Sequence, residues 1–122
     1  MMQTHLRKTI APGHPPTRNG TKVILNAGVL RLSGNLQRAD YNFFQEACGH
    51  LCRSDVPCAT LDLTHCTYVS SLIIGVLVDT VTQLKTDGKA VTVRVSPEVG
   101  RFLHMAHLYH LFSYSIVEPD SR

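Results

Sequence analysis

The chain has 122 residues, 43% hydrophobic and 17% charged, with a formal net charge of +3. That length accommodates one domain with one core and excludes a multidomain machine, and the composition is globular rather than disordered or collagenous. No segment approaches the roughly 18 uninterrupted apolar residues of a bilayer-spanning helix, and the longest run, Leu72 to Val78, is broken by Gly75.

Residues 1 to 22 hold Arg7, Lys8, Arg18 and Lys22 and no acid, whereas residues 23 to 122 carry 8 bases and 9 acids. The basicity therefore belongs to the leader, and a near-neutral domain lacks the phosphate-neutralising surface that a nucleic-acid binder needs. Pro12, Gly13, Pro15 and Pro16 stand where a secretory signal would place an apolar stretch. The expectation is a disordered basic leader over 1–22, a cytoplasmic domain over 23–118 and a flexible C-terminus over 119–122, with no nucleic acid bound and no membrane insertion.

Val23–Leu25 and Val29–Ser33 are short β-prone runs separated by Asn26, Ala27 and Gly28, a hairpin punctuation. Asp40 is placed as the N-cap of a helix whose residues Phe44, Ala47, Cys48, Leu51 and Cys52 share one face, ending near Arg53. Cys58 to Leu63 alternates as a strand. Leu72 to Lys85 is rich in β-branched residues, but Ile73, Leu77, Val81 and Leu84 keep helical spacing, with Gly88 as a stop. That helix starts near Ser70 or Ser71. Ala90 to Val95 is a strand, Ser96-Pro97 opens a third helix bearing Val99, Phe102, Leu103 and Ala106, and Tyr114 to Val117 is a last strand. Strands alternating with helices imply an α/β domain with a mixed, mostly parallel sheet and helices packed on it.

Two constellations invite chemistry. Cys48, Cys52, Cys58 and Cys66, with His50 and His65, match no common zinc spacing, and two of the four fall on a core-facing stripe, so they read as free thiols, not as a metal or disulfide framework. His104, His107 and His110 are three apart, so the first and last differ by about 240° around a helix axis and cannot share a face. No Gly-x-Ser-x-Gly elbow and no phosphate-binding glycine motif is present. The residues thus point to no catalytic group, metal or cofactor.

The order of motifs resembles the STAS domain of bacterial anti-sigma factor antagonists. The resemblance rests on Leu30-Arg31-Leu32-Ser33-Gly34-Asn35-Leu36, on Leu61-Asp62-Leu63 followed by Tyr68-Val69-Ser70-Ser71, on Val93 to Val99, and on Leu108 to Phe112. It implies a binding module whose loop serine is phosphorylated by an anti-sigma factor that is itself a serine kinase and holds the ATP and magnesium. Carried onto this chain, it places the phosphoacceptor at Ser71, with Ser70 as the alternative. It places the partner surface at Gly34, Asn35, Leu36, Ser70, Ser71, Leu72 and Ile74. The loop departs from the family's Asp-Ser-Ser-Gly: Ser70 stands for the aspartate, and Leu72 and Ile73 replace Ser-Gly. The alternative that the resemblance implies is a STAS subunit of a membrane lipid-transport complex, which binds the transporter ATPase without phosphorylation.

Overall fold

The computed structural model describes residues 22–118. Strands β1 (Lys22–Asn26) and β2 (Val29–Leu36) lead through a single 3-10 turn, Arg38–Asp40, into helix α1 (Tyr41–Arg53). Strand β3 (Cys58–Val69), helix α2 (Ser71–Thr86), strand β4 (Ala90–Val95), helix α3 (Pro97–Met105) and strand β5 (Ser115–Ile116) follow. The sheet order is β1-β2-β3-β4-β5, with β1 antiparallel to β2 and the remaining pairs parallel. The expected α/β domain with a mixed, mostly parallel sheet is the one observed.

One face of the sheet forms the core. Leu30 of β2 stands beside Leu61 of β3 and Val93 of β4, and Leu63 beside Val95, so the inward positions of three parallel strands lie in rows. They join Phe44, Ala47, Cys48 and Leu51 of α1, Ile73, Leu77 and Leu84 of α2, and Val99 and Leu103 of α3 in one buried cluster. Each large apolar side chain withdrawn from water in this way contributes about 1.5–3 kcal/mol. Gly100 lets α3 approach β5 closely, because a Cβ there would meet Ile116 Cδ1 at 2.8 Å.

The opposite face is polar. Arg31, Asp62 and Arg94 are adjacent in register, with both arginines exposed and Asp62 only 5% exposed. Burial alone would raise the Asp62 carboxyl, but hydrogen bonds from the Thr64 side chain and amide (3.0 Å), together with the Arg31 guanidinium (Nε to Oδ2, 3.3 Å), hold it below its ordinary value.

Several local expectations are corrected. Lys22, assigned to the leader, is the first residue of β1, and residues 1–21 and 119–122 lie outside the described residues. Asp40 stands at the N-cap position of α1 as expected, but its side chain makes no capping bond to the helix; its carboxylate turns back to accept from the Gln37 amide (2.9 Å), closing the 3-10 turn. Strand β3 continues six residues past Leu63, and so contains Cys66, because a register shift between Arg31 and Ser33 absorbs an extra residue of β3 and pairing with β2 resumes at His65. The last strand shrinks to Ser115–Ile116, since only Arg94 and Val95 offer it partners.

Candidate functional site: the β3–α2 loop

Parallel strands place the C-terminal ends of β2 and β3 and the N-termini of all three helices at one edge of the sheet. At that edge Gly34 pairs with Cys66, Asn35 with Tyr68 and Leu36 with Val69, so the end of β2 lies directly beside the segment entering α2. Gly34 has φ +95°, and the register shifts again between Gly34 and Asn35. A left-handed backbone of this kind suits glycine and re-aims the strand end.

Ser70 is the structural member of the loop. Its amide donates to the Leu36 carbonyl (2.9 Å), its carbonyl accepts from the Ile74 amide (3.0 Å), and its Oγ accepts from the Ile73 amide (3.3 Å). The hydroxyl thus satisfies one of the donors that every helix leaves open at its start. Ser70 is 7% exposed, whereas Ser71, the first residue of α2, is exposed. Tyr68 and Leu72 flank the loop at 46% and 41% exposure, apolar surface of the kind that a partner covers. The family resemblance does not place Tyr68 on this surface; its exposure does.

Three of the seven positions expected on this surface are buried, Ser70 and two apolar residues. Leu36 is fully buried and Ile74 is 3% exposed, because both extend the inward-facing rows of their elements into the core. Gly34 and Asn35 are half-buried, and Leu72 is exposed. The structure therefore brings all seven positions to one edge but presents only part of them to solvent.

A groove of about 400 Å³ runs from this edge between α1 and α2, lined by Tyr41, Gln45, Cys48 and Cys52 on one wall and Leu72, Gly75, Val76 and Asp79 on the other. A Cβ added to Gly75 would meet nothing within 4 Å, so this mid-helix glycine leaves space open toward the groove.

The remaining polar constellations are the cysteines and the histidines after Gly100. All four cysteines are free. Burial pushes the Cys48 thiol up to about 12, with the neighbouring Cys52 adding to it against a Thr80 hydrogen bond, and burial pushes Cys66 up to about 12 with help from Asp62. Burial also raises Cys52, and Asp87 adds to it. His104 lies in the last turn of α3, while His107, with φ +60°, and His110 lie beyond the helix. All three rings surround exposed Tyr109, at centroid distances of 5.2, 6.3 and 5.9 Å. Among the described residues no group of three His, Cys, Asp or Glu side chains is arranged to hold a metal ion. No described helix is long and apolar enough to cross a membrane.

Comparison with known proteins agrees with this architecture. The chain superposes on the crystal structure of an anti-sigma factor antagonist from Mycobacterium paratuberculosis with a TM-score of 0.66 and 21% identity, covering 78% of this chain and 83% of that one. It superposes on the anti-sigma factor antagonist SpoIIAA in its unphosphorylated form with a TM-score of 0.61 and 12% identity, covering 83% and 89%. A chain in the crystal structure of the diguanylate cyclase SiaD in complex with its activator SiaC, from Pseudomonas aeruginosa, gives a TM-score of 0.60 at 19% identity, covering 84% and 94%. At these identities the likeness is one of fold. No curated protein sequence matches the chain. The sequence profile of the STAS domain matches residues 20–120, which include all the described residues, and the chain belongs to the STAS domain family.

Proposed function

We propose that this protein is a cytoplasmic anti-sigma factor antagonist, a non-enzymatic regulator of transcription that binds an anti-sigma factor with serine kinase activity and is switched by phosphorylation of Ser71. The observation that carries the reading is the division of labour between two adjacent serines. Ser70 is buried and committed to capping α2, and Ser71 presents an exposed hydroxyl on the first turn of the same helix. Phosphate on Ser70 would remove the cap. Phosphate on Ser71 adds about 1.5 to 2 negative charges beside the positive end of the helix, which the fold tolerates. A docked partner faces that charge across the surface formed by Gly34, Asn35, Tyr68 and Leu72, where repulsion and desolvation at an interface cost several kcal/mol. Partner exchange follows without unfolding.

A second reading, a subunit that binds a transporter ATPase without phosphorylation, is favoured by Leu72. Its exposed apolar side chain occupies a loop position where the family carries a small polar one. The two separate in a binding assay with purified candidate kinase and ATP. The antagonist reading expects phosphate on Ser71, its loss in Ser71→Ala, and affinity for the kinase reduced about tenfold or more in Ser71→Glu. Phosphate confined to Ser70, or kinase binding indifferent to Ser71→Glu, contradicts it.

A further inference from the structure

The face of the sheet turned away from the core carries no helix among the described residues. The three helices cross between neighbouring strands in the same direction, from β2 to β3, β3 to β4 and β4 to β5, so right-handed connections stack all of them on one side. Parallel strands are as a rule covered on both faces, and β2 to β5 are parallel. The uncovered face is therefore a surface for a partner to occupy.

Register fixes what that face presents. Leu30, Leu61 and Val93 point inward, so the rows on either side of them point outward: Arg31, Asp62, Arg94 and Ser115 in one, Val29, Thr60 and Thr92 in the other. Arg31 and Arg94 stand two strands apart, about 10 Å, and the threonines about 7 Å along the strands from them. Asp62, between the arginines, is already engaged by Thr64 and Arg31. Arg94 is exposed and has no hydrogen-bond or ion-pair partner among the described residues. Lys22, paired with Ser33, lies on the same face, so every Lys, Arg and Asp of the five strands is on this side, three bases against one acid. The helices and loops of residues 22–118 hold five bases and seven acids.

This pattern selects the occupant. Arginines, threonines and a serine offer little apolar area to bury, unlike the core of an apolar interface. A second copy packed face to face about a twofold axis would set arginine against arginine. Three cations are few for a nucleic acid, whose affinity rests on many neutralised phosphates. Carboxylates fit: each accepts two parallel hydrogen bonds from a guanidinium, and the neighbouring threonine hydroxyls can donate a further one. We propose that the open sheet face around Arg94, Arg31, Thr60 and Thr92 is a second docking surface, one that takes an acidic polypeptide segment. It lies across the sheet from α2 and calls for no phosphate, so a partner held there stays bound while the Ser71 edge exchanges its own.

The test involves no kinase. A synthetic peptide of alternating glutamate and serine is titrated into the full chain labelled with nitrogen-15. The expected result is movement of the Arg31, Thr60, Thr92 and Arg94 amide resonances, with those of Ser71 and Leu72 unmoved. Arg94→Gln should raise the dissociation constant about fivefold, the upper range for one exposed ion pair. Thr92→Arg, which adds a cation to the same face without removing an arginine, should lower it by a similar factor. Absence of binding, binding that leaves the sheet-face resonances in place, or a dissociation constant unchanged by Arg94→Gln overturns the proposal. Sheet-face resonances that move with protein concentration in the absence of peptide also overturn it, because they assign the face to a second copy of the chain. Movement with phosphatidylserine vesicles but not with the peptide does so as well, because it assigns the face to a membrane surface.

Discussion

Ser96 joins two parts of the chain through one hydroxyl. Its Oγ donates to the Cys66 carbonyl of β3 (2.7 Å) and accepts from the Val99 amide of α3 (3.1 Å), and the residue is 1% exposed. Ser96→Ala leaves a buried carbonyl and a helix-start amide without these partners, a loss of about 1–3 kcal/mol. Urea denaturation should show the midpoint falling with an unchanged m-value. The Ser-Pro pair identifies the cap from sequence, but the bond to Cys66 is not legible there, because it joins residues 30 apart. The cysteines make a second residue-scale prediction. Cys48 and Cys66 are buried with thiols pushed up to about 12, while Cys58 is exposed. At pH 8 a disulfide reagent should label Cys58 rapidly, and Cys48 and Cys66 only as the protein unfolds, since the thiolate is the reacting species. Prompt labelling of all four in the folded protein would contradict the burial pattern.

Among the elements, the first hairpin is held by a turn at odds with one of its residues. Ala27 (φ +54°) and Gly28 (φ +82°) lie between the paired residues Asn26 and Val29, both left-handed, as a two-residue type I′ turn requires. Gly28 meets this demand, and its tight seat against the Cys58 carbonyl, 2.9 Å from where a Cβ would stand, excludes any larger residue. Ala27 does not, because a Cβ disfavours the left-handed region where Asn is tolerated. Ala27→Asn should stabilise the protein by about 0.5–1 kcal/mol, readable as a rise in the urea midpoint. This turn is legible in the sequence, and so are all three helices through their apolar spacing, even α2 with its β-branched run. The far end of β3 is not, because the residues after Leu63, Thr64 and His65, are polar and the strand's extra residue breaks alternation. That irregularity is set by pairing with β2 and is visible only once the strands are side by side. The bounds of β5 are hidden for the converse reason: Tyr114 and Val117 are apolar, yet only two residues of the segment pair with β4.

For the molecule as a whole, the site was half legible. The serines at the start of α2 and the end of β2 could be brought to one edge by the family resemblance. Which of those side chains face outward depends on the inward rows of β2 and α2, and these place Leu36 and Ile74 in the core. The groove could not be read at all, because it arises from how α1 and α2 pack, and no periodicity within either helix encodes the space between them. The central claim is that the exposed edge at Ser71, Tyr68 and Leu72 engages a kinase of the anti-sigma type and is switched by phosphate. The most direct test is to recover the protein from a lysate of its native cells and identify by mass spectrometry both its companions and any modified loop serine. The account predicts an anti-sigma serine kinase among the companions and phosphate on Ser71 in the fraction released from it. A transporter ATPase bound to a loop that carries no phosphate would contradict the account and establish the transport-subunit reading in its place.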